Sequence, residues 1–153
     1  IMKIVFVCTG NSCRSVIAHY LLNKMTADRN LEGWQADSCG IAAERYFPTP
    51  EGVRTALRER GIEDFKHTPQ LAGRELLTWA DKVLTMTREH RDYLLDQYPE
   101  FTDKTHLFME FAAGEPTNVA DPIGKPTKVY LACRDQIEKA LESLLEKHAP
   151  TST

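Results

Sequence analysis

Hydrophobic and polar positions along this chain repeat at two periods, near two residues and near three to four, and each switch of period marks an element. Ile4-Val5-Phe6-Val7 is an unbroken apolar run, short and mostly β-branched, the pattern of a strand buried on both faces. From Ser15 to Arg29 the period lengthens: Ile17, Leu21 and Met25 mark one face of a helix that Asn30 and Gly33 end. Trp34-Gln35-Ala36-Asp37-Ser38 alternates as a second strand, while His19 and Tyr20 read as packing or solvated residues of the first helix. Thr49-Pro50-Glu51 opens a second helix, with Thr49 as cap, Pro50 at the first position, Val53, Ala56 and Leu57 as its apolar face and Gly61 as its end. Leu71 to Trp79 reads as a short helix and Asp81 to Met86 as a third strand. Thr87 caps a helix over Arg88 to Tyr98 that turns Tyr93, Leu94 and Leu95 inward. Thr105 to Phe108 is a fourth strand and Glu110 to Ala120 a loop. Val129, Tyr130, Cys133, Ile137, Leu141 and Leu144 then define a strongly amphipathic last helix ending near Lys147.

Strands alternating with helices imply a parallel sheet covered on both faces. Four strands whose first runs into an anion-type turn suggest a flavodoxin-like three-layer α/β sandwich. The 153 residues are read as a single domain over 2–148, with 149–153 a frayed tail. Charges are interspersed, 19 Lys and Arg against 22 Asp and Glu, with no basic block of the kind that binds nucleic acid. No apolar run is long enough for a membrane span, and Met2-Lys3 leads into the first strand without a signal peptide. The four cysteines form neither a secreted disulfide framework nor a CxxC pair suited to zinc, so a reducing cytoplasm is expected, with no cofactor and no metal.

The chemistry concentrates in Cys8-Thr9-Gly10-Asn11-Ser12-Cys13-Arg14-Ser15, between the first strand and the first helix. A helix N-terminus reached from a buried strand offers unpaired N–H groups and a positive dipole end, which favour an anion. A thiol there is biased toward thiolate, a nucleophile, and the Arg14 fork can grip two oxygens of a phosphate. Gly10 lets the backbone turn, Asn11 tolerates the left-handed region, and Ser15 is either a hydrogen-bond donor to the thiolate or the helix cap. An ordinary strand-to-helix turn with a buried cysteine is the bland alternative, and Cys-x5-Arg alone is a weak signal.

The octet resembles the phosphate-binding loop of the low-molecular-weight protein phosphatases, known mainly as protein-tyrosine phosphatases, and the likeness runs from Met2 to about Lys147. It is similar too to the loop of the thioredoxin-coupled arsenate reductases of the same fold. The resemblance implies that Cys8 attacks a phosphoryl group to form a phosphocysteine. The backbone N–H groups of Thr9, Gly10, Asn11, Ser12, Cys13 and Arg14, with the Arg14 fork, would hold the phosphoryl oxygens. Asp121, in Ala120-Asp121-Pro122, matches the family's general acid, while Asp37, Asp81 and Asp103 are rival carboxylates without a matching motif. Asn11, Ser38 and His67 match a network that braces the loop, together with Ser15. Cys13 matches the cysteine that forms a reversible disulfide with the nucleophile, whereas Cys39 and Cys133 read as small core hydrophobes. Tyr46, Phe47 and Ile123 are candidates for a substrate wall. Phosphorylated proteins, inorganic phosphate and other oxyanions are the implied ligands.

Three branches compete. Arsenate reductases need two further cysteines after the third strand, where this chain reads Thr85-Met86-Thr87-Arg88-Glu89-His90. Phosphotyrosine phosphatases commonly carry a bulky aliphatic residue at the Ser12 position and an aromatic after Asp-Pro, where Ile123 stands here. Bacterial protein-arginine phosphatases carry a small hydroxyl residue at the Ser12 position, and Met86-Thr87-x-x-His90 and Val129-Tyr130-x-x-x-Arg134-Asp135 also look like that branch, whose usual aromatic after Asp-Pro is likewise replaced by Ile123 here. A phosphate-binding or redox-sensing module without catalysis would be marked by loss of Cys8, Arg14 or Asp121, and all three are present.

Overall fold

A computed structural model describes residues 2–148; the tail expected over 149–153 lies outside the described residues. Strands β1 (Met2–Cys8), β2 (Trp34–Gly40), β3 (Lys82–Thr85) and β4 (Thr105–Leu107) form one sheet in the order β2-β1-β3-β4. All three pairings are parallel, with Val5 level with Asp37 on one side and Val83 on the other. The helices are α1 (Arg14–Asp28), α2 (Glu51–Arg58), α3 (Arg74–Trp79), α4 (Arg88–Gln97), α5 (Phe108–Ala113) and α6 (Thr127–His148).

The unbroken apolar run of β1 finds its reason in the two layers it separates. Ile4, Phe6 and Cys8 point into a core shared with Val16, Ile17 and Leu21 of α1 and Ile137, Leu141 and Leu144 of α6. Val5 and Val7 point the other way, onto Leu77, Val83 and Leu94. The rings of Phe6 and Phe108 meet edge to face at 5.5 Å between centroids. Arg134, buried in α6, donates to the Ala56 carbonyl at 3.0 Å and the Glu59 carboxylate at 2.6 Å, which ties α2 to α6. The chain leaves β1 toward β2 on one side and toward β3 and β4 on the other. That reversal of strand order opens a crevice at the carboxyl end of β1, where ligands of open α/β sheets bind.

Several expectations are corrected. The stretch expected as loop from Glu110 starts as helix: α5 runs straight out of β4 and buries Phe108, Met109 and Ala112. Leu71 is not helical but pairs with Gly40 as an added bridge at the sheet edge, and the helix starts at Arg74. Pro50, not Thr49, occupies the cap position of α2, and no side chain caps it. Tyr93 faces solvent at 46% exposure, because Leu94 alone fills the inward position of its turn. Thr87 does cap α4: its hydroxyl accepts from the His90 N–H at 3.2 Å, and the His90 ring accepts in return from the Thr87 N–H. Among the described residues no helix is long and apolar enough to cross a membrane.

Candidate active site

The octet turns out of β1 and into α1 at the crevice, as its residue types require. The one left-handed residue of the turn is Asn11, at φ 54°, so Asn11 rather than Gly10 makes the bend. Cys13 takes the helix cap position without a capping side chain, which leaves the Ser15 hydroxyl free. It lies 2.9 Å from Cys8 Sγ. Asn11 Nδ2 donates to Ser15 Oγ at 2.8 Å, so the hydroxyl's own hydrogen is available to the sulfur.

Asn11 is held in turn from the far side. Its Oδ1 accepts from the Gln70 N–H at 3.0 Å and from His67 Nε2 at 3.1 Å. His67 Nε2 also meets the Asn11 carbonyl at 3.0 Å. Both partners of that nitrogen only accept, so it carries the ring hydrogen, and Nδ1 faces the Tyr20 hydroxyl at 3.2 Å. Ser38 does not touch Asn11. Its hydroxyl lies 2.8 Å from His19 Nδ1, and His19 stacks on Tyr20, so Ser38 joins the bracing through two residues read from sequence as packing or solvated. Burial and the neighbouring His67 push His19 down to about 4, and burial likewise lowers His67, so both rings are neutral at pH 7.

Arg14, 5% exposed, closes the loop. Its Nη1 donates to the Val119 carbonyl at 3.0 Å and its Nη2 approaches the Asp121 carboxylate at 3.5 Å, which brings the loop before α6 to the octet. The Asp121 carboxylate also accepts from the Ile123 N–H at 3.1 Å. Arg14 Nε is buried without a hydrogen-bond partner among the described residues, which is costly for a guanidinium N–H unless an anion completes it. Asp37 and Asp81 sit elsewhere, accepting from the Ser38 and Lys3 N–H groups, and do not share this cluster.

Together these groups floor a cavity of about 330 Å³ lined by Cys8, Thr9, Gly10, Ser12, Cys13 and Arg14, with Phe47, Pro48, Pro50, Asp121 and Ile123 as walls. Tyr46, expected in the wall, is outside it: the side chain is 78% exposed and meets Phe47 edge-on at 5.2 Å. Tyr46 lies in a turn closed by the Phe47 N–H donating to the Glu44 carbonyl at 3.0 Å, and Phe47, which follows it, takes the inner place. Pro48 and Pro50, not among the expected wall residues, complete the wall. Cys13 is buried, and burial pushes its thiol up to about 11. Cys39 and Cys133 are buried in the cores, with burial raising both thiols. His90 entered the sequence reading only as part of the Met86-Thr87-x-x-His90 pattern, with no role at the site. It is buried, its Nε2 lies 2.9 Å from Thr9 Oγ1, and only its place three residues after the Thr87 cap hinted at a role.

Comparison with known proteins gives this geometry a context. Over 145 residues the chain is 38% identical to a protein-arginine-phosphatase of Geobacillus stearothermophilus, covering 95% of each. It is 33% identical over 140 residues to arsenate reductase 2 of Staphylococcus haemolyticus, covering 92% of this chain and 93% of that one. The structure of a low molecular weight protein tyrosine phosphatase from T. tengcongensis superposes with a TM-score of 0.90 at 35% identity, covering 96% of this chain and 99% of the other. The profile described as low molecular weight phosphotyrosine protein phosphatase matches residues 3–151. A strand-to-helix loop with a cysteine at its start and an arginine at its end, on this sheet and across nearly the whole chain, makes the protein a member of the low molecular weight phosphotyrosine protein phosphatase family.

Proposed function

We propose that this single domain is a cysteine-dependent protein phosphatase acting on phosphoarginine in preference to phosphotyrosine. The observation that carries the reading is the cavity floor: a cysteine sulfur with a hydroxyl donor at 2.9 Å, beside a buried guanidinium whose Nε has no partner among the described residues. A phosphoryl dianion repels an anionic nucleophile, so its oxygens must be neutralised as the sulfur approaches. The loop N–H groups from Thr9 to Arg14 and the Arg14 fork do this, and no metal is required by the chemistry.

Cys8 Sγ attacks phosphorus, the S–P bond forms, and the bond to the leaving nitrogen or oxygen breaks. Asp121 hands its proton to that leaving atom. Water then attacks the phosphocysteine, gives its proton to Asp121, and releases phosphate and the Cys8 thiolate. Ser12 supports phosphoarginine, while Ile123 departs from the aromatic usual after Asp-Pro in both branches. A serine leaves width for a flat guanidinium and offers an oxygen to its N–H groups, and Ile123 provides no ring for a phenol to stack on. The name of the Geobacillus relative supports the same order. Phosphotyrosine is the second reading, favoured by Phe47 in the wall. Arsenate reduction is not supported: residues 85–90 hold no cysteine and Cys133 is buried in α6. Four free thiols, one of them the nucleophile, suit a reducing cytoplasm.

The test is phosphate release from matched phosphoarginine and phosphotyrosine peptides with chelator present, wild type beside Cys8→Ser and Asp121→Ala. Faster phosphoarginine release, abolished by Cys8→Ser and cut about 10²–10⁴-fold by Asp121→Ala, is the expected outcome. Faster phosphotyrosine release would move the protein to the tyrosine enzymes, and release that survives Cys8→Ser would overturn the mechanism.

A further inference from the structure

The side chains of Thr9 and His90 have no part in the proposed chemistry so far, and their hydrogen bonds leave one donor to be placed. His90 is buried at the third position of α4. The Thr87 N–H donates to its Nδ1 at 3.2 Å, so that nitrogen carries no hydrogen. Burial, with Arg14 nearby, lowers the ring to about 4, so at neutral pH its one hydrogen sits on Nε2. Nε2 therefore donates to Thr9 Oγ1 at 2.9 Å. Arg14 Nη2 donates to the same oxygen at 3.4 Å. A hydroxyl has two lone pairs and one hydrogen. Both lone pairs here face donors, and the hydrogen can return to neither. Thr9 is exposed and borders the cavity above Cys8.

We propose that the Thr9 hydroxyl is a dedicated donor to an oxygen of the bound phosphoryl group, and that His90 is the positioning residue that keeps it a donor. This deepens the phosphatase reading and rests on it. It also explains a histidine where a capping box usually holds Glu or Gln. A glutamate would return a capping acceptor but face Thr9 with an oxygen, drawing the hydroxyl hydrogen away from the cavity. An imidazole supplies the acceptor on one side and the donor on the other. A glutamine amide offers the same pair.

The experiment is calorimetric binding of inorganic phosphate to the full chain at pH 7.5, for wild type, Thr9→Val, His90→Met, His90→Gln and the double variant Thr9→Val/His90→Met. Turnover of p-nitrophenyl phosphate, with and without Cys8→Ser, is measured on the same preparations. Thr9→Val should weaken phosphate about tenfold, the scale of one hydrogen bond to a charged group. His90→Met should weaken it comparably, the double variant no further than Thr9→Val, and His90→Gln should recover most of what methionine loses. Wild-type affinity in Thr9→Val, an undiminished His90→Met penalty in the Thr9→Val background, or a glutamine no better than methionine would each overturn the proposal. If wild type shows no Cys8-dependent turnover, the phosphatase reading fails on its own, while the binding cycle still decides whether Thr9 donates to an oxyanion.

Discussion

Ser12 and Ser15 put the same hydroxyl to opposite uses three residues apart. Ser15 is fully buried, with Asn11 filling its oxygen, so it can only serve Cys8. Ser12 lines the cavity and meets what enters it. Its substitution is therefore a test of selectivity rather than of chemistry. Ser12→Ile fills the mouth with hydrocarbon and removes a polar partner of a guanidinium. Because a methylene in a fitted pocket changes discrimination by about 10–200-fold, the ratio of kcat/KM for phosphotyrosine over phosphoarginine should rise at least about tenfold. Steady-state kinetics on matched peptides measures it, and an unchanged ratio would remove Ser12 as selector. At this scale the sequence was informative where residues are contiguous. Cys8, Arg14 and the left-handed Asn11 were all legible in one octet. Gln70 was not, because it reaches the loop across a separation of 59 residues with no local pattern to mark it, and the motif that holds His90 gave no sign of its contact with Thr9, 81 residues away.

The end of β2 supports the loop as much as β1 does. Gly40 pairs with Cys8, bridges Leu71, and sits against the loop backbone. A Cβ at Gly40 would stand 2.4 Å from the Thr9 carbonyl oxygen and 2.8 Å from the Asn11 nitrogen, both backbone atoms that cannot swing aside. Gly40→Ala should therefore shift the loop bodily. Misplacement of about 1 Å can cost on the order of 10² in rate, and overpacking costs about 1–3 kcal/mol. The expected result is kcat/KM down at least about 100-fold with a fold that survives in urea titration; an alanine variant of near-normal activity would show that the loop yields without consequence. Gly10 is the contrast. It reads from sequence as the glycine that lets the backbone turn, yet its φ is not positive and a Cβ there meets Phe47 and Ser12 only at 3.5–3.6 Å, an ordinary contact. Strand and helix types were legible from periodicity, most clearly in β1 and α6. The short α5 was not, since six residues span too few turns to show a period and Phe108 and Met109 continue the apolar run of β4.

Taken whole, the molecule holds His19, His67, His90 and His106 and the thiols of Cys13, Cys39 and Cys133 as neutral groups, and this sets the pH range in which it is stable. His19 and His90 both fall from 6.5 to about 4, chiefly through burial, and His67 and His106 shift the same way. Below pH 6.5 the unfolded chain takes up protons that the folded chain refuses until near pH 4, so stability falls as pH falls through that window. The thiols act with the opposite sign. Burial raises Cys13 to about 11 and Cys133 to about 12, and raises Cys39 as well. Above pH 9 the unfolded chain ionises thiols that the folded chain keeps neutral, so stability falls again as pH rises. Each fully linked proton changes stability by about 1.4 kcal/mol per pH unit. Urea midpoints under reducing conditions should therefore be highest near pH 7.5 and lower at both pH 5 and pH 10. His19→Gln should flatten the acid side and Cys133→Ala the alkaline side, each without moving the other. A midpoint that holds from pH 7.5 to pH 5, or an acid limb that His19→Gln leaves unchanged, would mean that the imidazoles are not buried neutral. The bracing of Asn11 through His67 and Tyr20 would then need a different protonation from the one its partners imply.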